Sequence, residues 1–296
     1  MPPRESAQAA SQVAHVTTNV SEKKIRSDPG LTAFPSGVYG VTDSTMTLPG
    51  HIFSAPDGVR GIDTTERITP NTAAALHSHG YRFCVRYVRR DKPHASALNI
   101  PEARTILDSG LGLMLVQYVE SESAWIPSAA KGSTNGNVAA AEAAKLGVPW
   151  GVTIWCDLEG VKVGTPRQRV IDYCNRWHTG VASAGYVPGL YVGYHPGLTS
   201  TQLYLKLRFS HYWGAFNLNS DQFPAVRGLQ MKQSIRRSED IVSGVQLDFQ
   251  VDRVSADRLG GRPTLLALAG WPELPEESHL STENLTDDWD KRWSMR

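Results

Sequence analysis

From residue 59 to residue 249 the chain alternates short apolar runs with longer segments whose apolar positions recur at helical spacing. The runs at 59–63, 81–88, 111–119, 150–157, 187–194, 211–216, 226–233 and 245–249 predict strands. The segments 70–79, 100–109, 137–146, 166–184 and 200–207 predict helices. Punctuation agrees: Thr69 stands at an N-cap, Pro70 in a first turn, and Gly80, Gly110, Gly147 and Gly185 follow the helices they would close. The last two strand connections carry no helical pattern, so the repeat reads as partly degenerate in its second half. Strand–helix units in series predict an α/β fold with a parallel sheet, and eight strands predict closure as a (β/α)8 TIM barrel. A doubly wound sheet would place a glycine-rich phosphate loop after its first strand. Gly61-Ile62-Asp63-Thr64-Thr65 is not one.

The flanks do not share this pattern. Residues 1–57 read as an irregular N-terminal extension, rich first in Ala, Ser and charge and then in Pro and Gly. The barrel domain is expected over 58–268, and 269–296 reads as an acidic C-terminal tail carrying Trp289 and Trp293. Charge is balanced, with 30 Lys+Arg against 29 Asp+Glu, so no polybasic field points to nucleic acid. The helix bearing Arg167, Arg169 and Arg176 reads as a solvated face. No run is long and apolar enough to predict a membrane span. The polar N-terminus lacks the apolar region of a Sec-type signal peptide. The expectation is a cytoplasmic protein, or one exported by a leaderless route to the cell wall or periplasm. Cys84, Cys156 and Cys174 fall within predicted elements and read as buried free thiols. His77, His79, His195 and His211 lack metal-ligand spacing, so neither metal nor cofactor is expected.

Candidate chemistry concentrates in Trp155-Cys156-Asp157-Leu158-Glu159-Gly160, at the end of the fourth predicted strand. A strand repeats every two residues, so Asp157 and Glu159 share a face. Two carboxylates held close in a walled site cannot both keep ordinary pKa values, and the one pushed towards protonation suits a general acid. The spacing alone equally suits an exposed acidic strand end or a helix N-cap. Other predicted strands also end in polar or aromatic residues: Asp63, Arg86 and Tyr87, Gln117 and Tyr118, Tyr191, Trp213, Gln230 and Gln233, and Asp248. Barrel enzymes place their active sites at this face. Asp252 is the alternative carboxylate of the eighth strand if its register is displaced.

The series Gly61-Ile62-Asp63, Arg86-Tyr87-Val88, Gln117-Tyr118, Asp157-Leu158-Glu159-Gly160, Leu190-Tyr191-Val192-Gly193-Tyr194, Trp213, Gln230 and Leu247-Asp248 resembles a glycoside-hydrolase-like TIM-barrel family. That domain-of-unknown-function family is related to the family 25 muramidases, the Chalaropsis-type lysozymes. The resemblance spans residues 59–265. It implies a lysozyme-like hydrolase of bacterial peptidoglycan, cleaving between N-acetylmuramic acid and N-acetylglucosamine. It implies Glu159 as acid and Asp157 as the carboxylate that orients the substrate's acetamide or stabilises the anomeric centre, with Asp63 and Asp248 completing the catalytic set. Arg86, Tyr87, Gln117, Tyr118, Tyr191, Trp213 and Gln230 would bind the polysaccharide. Arg86-Tyr87 and Gln117-Tyr118 depart from the muramidases. Direct attack by Asp157 needs carboxyls about 5–5.5 Å apart flanking the bond, whereas neighbours on one strand sit side by side, which favours substrate assistance. The alternatives are a glycan-binding barrel without catalysis and an antibacterial effector delivered by a secretion system.

Overall fold

The computed structural model describes residues 47–90, 94–121, 123–218, 228–256 and 261–272. The chain divides into two units, Met1–Asp43 and Ser44–Arg296, and every described residue belongs to the second. Most of the N-terminal extension, and the tail with Trp289 and Trp293, lie outside the described residues.

The strands are β1 (His51–Ser54), β2 (Arg60–Thr64), β3 (Phe83–Val88), β4 (Gly112–Gln117), β5 (Thr153–Leu158), β6 (Val187–Val192), β7 (His211–Gly214), β8 (Met231–Ser234), β9 (Gln250–Val254) and β10 (Thr264–Ala267). The helices are α1 (Pro70–Ser78), α2 (Ile100–Asp108), α3 (Ala129–Lys145), α4 (Arg167–Ser183) and α5 (Ser200–Leu205). Strands β2 to β9 close an eight-stranded barrel, each paired with the next and β9 returning to β2. Strands β2 to β8 run parallel, as the repeat predicts.

The eighth strand corrects the sequence reading in position and direction. It is Gln250–Val254 rather than 245–249, and it runs antiparallel to both β8 and β2. A parallel pair needs a crossover, usually a helix, to return the chain to its starting end. Between β8 and β9 there is only the 3₁₀ turn Ser238–Asp240, so the chain comes straight back. The last residues of the expected extension and the first of the expected tail also belong to the barrel body. Strand β1 pairs antiparallel with β10, β10 meets β4 at Leu266 opposite Leu113, and Trp271 is buried with its indole donating to the Arg82 carbonyl.

Side-chain alternation along the strands makes two cores. Inside the barrel lie Phe83, Val85, Met114, Val116, Trp155, Tyr191, Trp213, Met231 and Val254, a cluster containing no helix residue. Between barrel and helices lie Ile62, Cys84, Leu115, Ile154, Cys156, Leu158, Leu190 and Tyr212, packed with Leu76, Ile106, Ala139 and Trp177. All three cysteines are free and buried.

Helix α3 begins well before residue 137, where periodicity placed its start. Gly132, Ser133, Thr134, Asn135 and Gly136 are poor helix formers, so the early turns carry no sequence signal. Tertiary packing supplies the reason. A Cβ on Gly132 would overlap the Tyr173 carbonyl of α4, and one on Gly136 would overlap that of Trp177. The two helices therefore touch backbone to backbone, and Ser128 caps the start by accepting from the Lys131 amide. Alanine is favoured over glycine in an ordinary helix by about 1 kcal/mol. Here Gly136→Ala is expected to have the opposite sign, costing about 1–3 kcal/mol through overpacking against main chain. Urea unfolding of the two proteins checks this; a stabilised variant would show that α3 and α4 do not approach so closely.

Candidate active site at the mouth of the barrel

Alternation on the parallel strands brings one set of polar groups to the interior near their C-terminal ends. Trp155 faces inward, so Asp157 two residues later does too, and Glu159 continues the same face just beyond β5. Asp157 lies in register with Tyr191 on β6, and Tyr191 with Trp213 on β7. The backbone around Glu159 is fixed from both sides. The Trp125 indole donates to the Glu159 carbonyl, and the Gly160 amide donates to the Tyr194 carbonyl at 2.7 Å. The Glu159 side chain lies over Gly193, where any Cβ would overlap Oε2. Glycine at 193 is thus the space in which this carboxylate sits.

The tyrosine hydroxyls report how closely these acids converge. Burial first holds the Tyr87 hydroxyl well above its ordinary range, and the negative charge of Asp63, Asp157 and Glu159 adds to it. Tyr191 is raised by burial and then by Glu159, Asp157, Asp63 and Asp252. Both phenols therefore stay neutral among the carboxylates. Tyr87 packs on Tyr118 at a centroid distance of 4.7 Å, and Tyr118 stacks on His94 at 4.2 Å, forming a partly exposed aromatic wall.

Asp63 and Asp252 form the buried centre, 4% and 0% exposed. Strands β2 and β9 pair Gly61 with Asp252 and Asp63 with Gln250, so the carboxyls are diagonal neighbours on one face. Burial is the main cause that raises both. The Asp63 charge adds to the shift of Asp252, while a hydrogen bond from Gln233 opposes that of Asp63. Gln233 Nε2 donates to Asp63 Oδ2 at 2.8 Å, and the Tyr191 hydroxyl donates to Gln233 Oε1 at 3.1 Å. Among the described residues no donor reaches either oxygen of Asp252 in hydrogen-bonding geometry, although the Trp213 indole faces it.

The structure thus brings together Asp63, Tyr87, Asp157, Glu159 and Tyr191, and it places other predicted residues elsewhere. Asp248 lies on no strand: it is exposed in the loop before β9, with its carbonyl accepting from Thr64 Oγ1 at 2.6 Å. Its charge still reaches Asp63. The strand-borne acid is Asp252. Arg86 faces the helix layer, fully buried, pairing with Glu102 of α2 at 2.7 Å and donating to the Ser96 and Thr64 carbonyls. Gln117 also faces outward, donating to the Asn135 carbonyl at 2.8 Å and accepting from the Trp177 indole at 2.7 Å. Gln230 is fully buried and accepts from the Tyr212 amide, tying β7 to the residue before β8. These three residues point away from the interior because each follows or precedes an inward residue by one position. Trp213 is interior but wholly buried, its ring 4.5 Å from that of Tyr191, so it is a floor rather than a sugar platform. Gln233 and Asp252 are the residues that sequence reading left out of the site. Their signals were present, Gln233 as a polar strand end and Asp252 as the alternative register.

Among the described residues no group of three or more His, Cys, Asp or Glu could hold a metal ion, and no helix is long and apolar enough to cross a membrane.

The buried acid pair makes a pH prediction. Burial holds protons on the Asp63–Asp252 pair that the unfolded chain releases near 3.8, and Asp63 is the first of the two to ionise, at about 7. Folding therefore takes up protons between these values, and stability is fully present below pH 3.8 and falls as pH rises to about 7. The slope is about 1.4 kcal/mol per pH unit for each proton held. Asp252→Asn removes one acid of the pair and should flatten the fall. Denaturant unfolding at pH 5 and pH 7.5 measures it; an unchanged slope would show that Asp252 holds no proton.

Comparisons with known proteins agree with this architecture. A family model, the Rv2525c-like, glycoside hydrolase-like domain, matches residues 74–241. No curated protein matches the chain. Among solved structures, the Mycobacterium tuberculosis Tat-secreted protein Rv2525c, in complex with L-tartrate, is 17% identical, with 67% of this chain and 96% of that chain covered and a TM-score of 0.51. A bacterial lysozyme from Streptomyces coelicolor is 15% identical over 68% of this chain and 95% of its own, with a TM-score of 0.46. A muramidase from Trichobolus zukalii is 15% identical over 67% and 93%, also at 0.46. At 17% identity the likeness to Rv2525c is one of fold. The family model covers more than half of the 296 residues, and with a closed barrel whose acids gather at its mouth, the chain belongs to the Rv2525c-like, glycoside hydrolase-like domain family.

Proposed function

We propose that the chain is a glycoside hydrolase acting on bacterial cell-wall glycan of the peptidoglycan type. The carrying observation is the inward pair Asp157 and Glu159, set among two neutral tyrosines and the buried Asp63–Asp252 pair. Glu159 is partly exposed at the mouth and its backbone is fixed, which suits a general acid that protonates a glycosidic oxygen. Asp157 lies deeper and side by side with it, a placement that suits orienting a 2-acetamido group as internal nucleophile. Tyr87 and Tyr118 offer flat faces for the apolar side of a pyranose ring. Asp63, once ionised, supplies negative charge below the anomeric centre.

Removing a general acid costs about 10²–10⁴-fold in rate. Glu159→Gln is therefore expected to lose turnover by that factor while still binding glycan. Mass spectrometry of products from sacculi, with wild type and variant, measures it. Equal product release would remove Glu159 from the acid role, and glycan binding without any release by the wild type would leave a binding barrel. Substrate assistance further predicts that de-N-acetylated glycan is a very poor substrate; full activity on it would instead favour direct attack by Asp157.

A further inference from the structure

Gln233 spans the barrel interior between groups on different strands, linking Tyr191 of β6 to Asp63 of β2. It is 6% exposed, and β8 sets it directly opposite Asp252 of β9. A primary amide fits in two orientations, and here its neighbours choose. The Tyr191 phenol stays protonated, so it donates to the amide oxygen and leaves the N–H for Asp63. An N–H donor favours the ionised form of the carboxyl that accepts it. Asp252, by contrast, is faced among the described residues only by the Trp213 indole, which lies outside hydrogen-bonding geometry and opposes its shift less than burial and the Asp63 charge raise it. Once the first proton has left, two carboxyls buried this close keep the second between them.

We propose that Gln233 is a positioning residue that assigns this proton, holding Asp63 as the ionised member and leaving Asp252 as the neutral acid. The other charged groups around Asp63 are Asp248 from the loop before β9, and Asp157 and Glu159, whose charges reach the same two tyrosines. None of these three donates to Asp63; besides the amide, the protonated Asp252 carboxyl does, and that hydrogen bond runs in the direction of the assignment. The catalytic consequence rests on the glycosidase reading: a carboxylate fixed in its charged form faces a developing oxocarbenium centre steadily, while a wandering proton would cancel that charge part of the time.

The test is ¹³C NMR of the full chain labelled at the aspartate carboxyls, titrated in the wild type, Gln233→Leu and the isosteric Gln233→Glu. In the wild type Asp63 should titrate before Asp252. Loss of the amide donor should raise the proton affinity of Asp63 about tenfold, close to one pH unit, and narrow the gap. Gln233→Glu should raise Asp63 as well, and it decides the matter if Gln233→Leu does not fold. A merely structural role would lower the melting temperature and leave the titration order and spacing unchanged. Asp252 titrating first in the wild type, or unmoved midpoints in the folded variants, would overturn the assignment. If the expected order holds while the wild type releases nothing from peptidoglycan, the glycosidase reading fails and the proton assignment stands.

Discussion

Burying several carboxylates inside a barrel carries a desolvation cost of several kcal/mol for each ion left uncompensated, and the interior of this protein is arranged around that cost. Asp63 and Asp252 meet it by keeping proton between them, Tyr87 and Tyr191 by staying neutral, and Gln233 by carrying a donor to the one carboxylate that ionises. The arrangement exists only because β9 returns antiparallel and inserts its second acid beside β2. A helical crossover before β9 would have reversed the strand and carried Asp252 to another level of the barrel. The missing helix is thus tied to the chemistry of the site.

The same polar vocabulary appears on the other face of the strands with another purpose. Arg86 and Gln117 each stand next to an inward residue and so face the helices. There Arg86 satisfies its guanidinium on Glu102 and two carbonyls, and Gln117 bridges α3 and α4 through Asn135 and Trp177. Breaking a buried pair such as Arg86–Glu102 typically costs about 3–5 kcal/mol, because the remaining charge is stranded. These residues fix the helix layer against the barrel, and that layer holds the strand ends where the acids sit.

Precision at Glu159 comes from hydrogen bonds that hold its main chain in place. Its carbonyl is held by Trp125, the next amide by the Tyr194 carbonyl, and its carboxylate rests in the space left by Gly193. Groups carried by strands and their immediate ends are held more tightly than groups on long loops, which is what the proposed acid role requires.

The sequence by itself determined the parts governed by local periodicity. Seven parallel strands and the helices after β2, β3, β5 and β6 follow from apolar spacing and glycine punctuation, and the shared face of Asp157 and Glu159 follows from the two-residue repeat of a strand. Three things were left to tertiary structure. The start of α3 depends on glycines that are poor helix formers alone and necessary where two backbones touch. The eighth strand depends on which of two aspartate-containing stretches, 245–249 or Gln250–Val254, pairs with β2 and β8, and both alternate plausibly. The sorting of Arg86, Gln117 and Gln230 away from the site, and of Gln233 and Asp252 into it, depends on register. A shift of one residue turns every side chain to the opposite face, and only the closed barrel fixes that register.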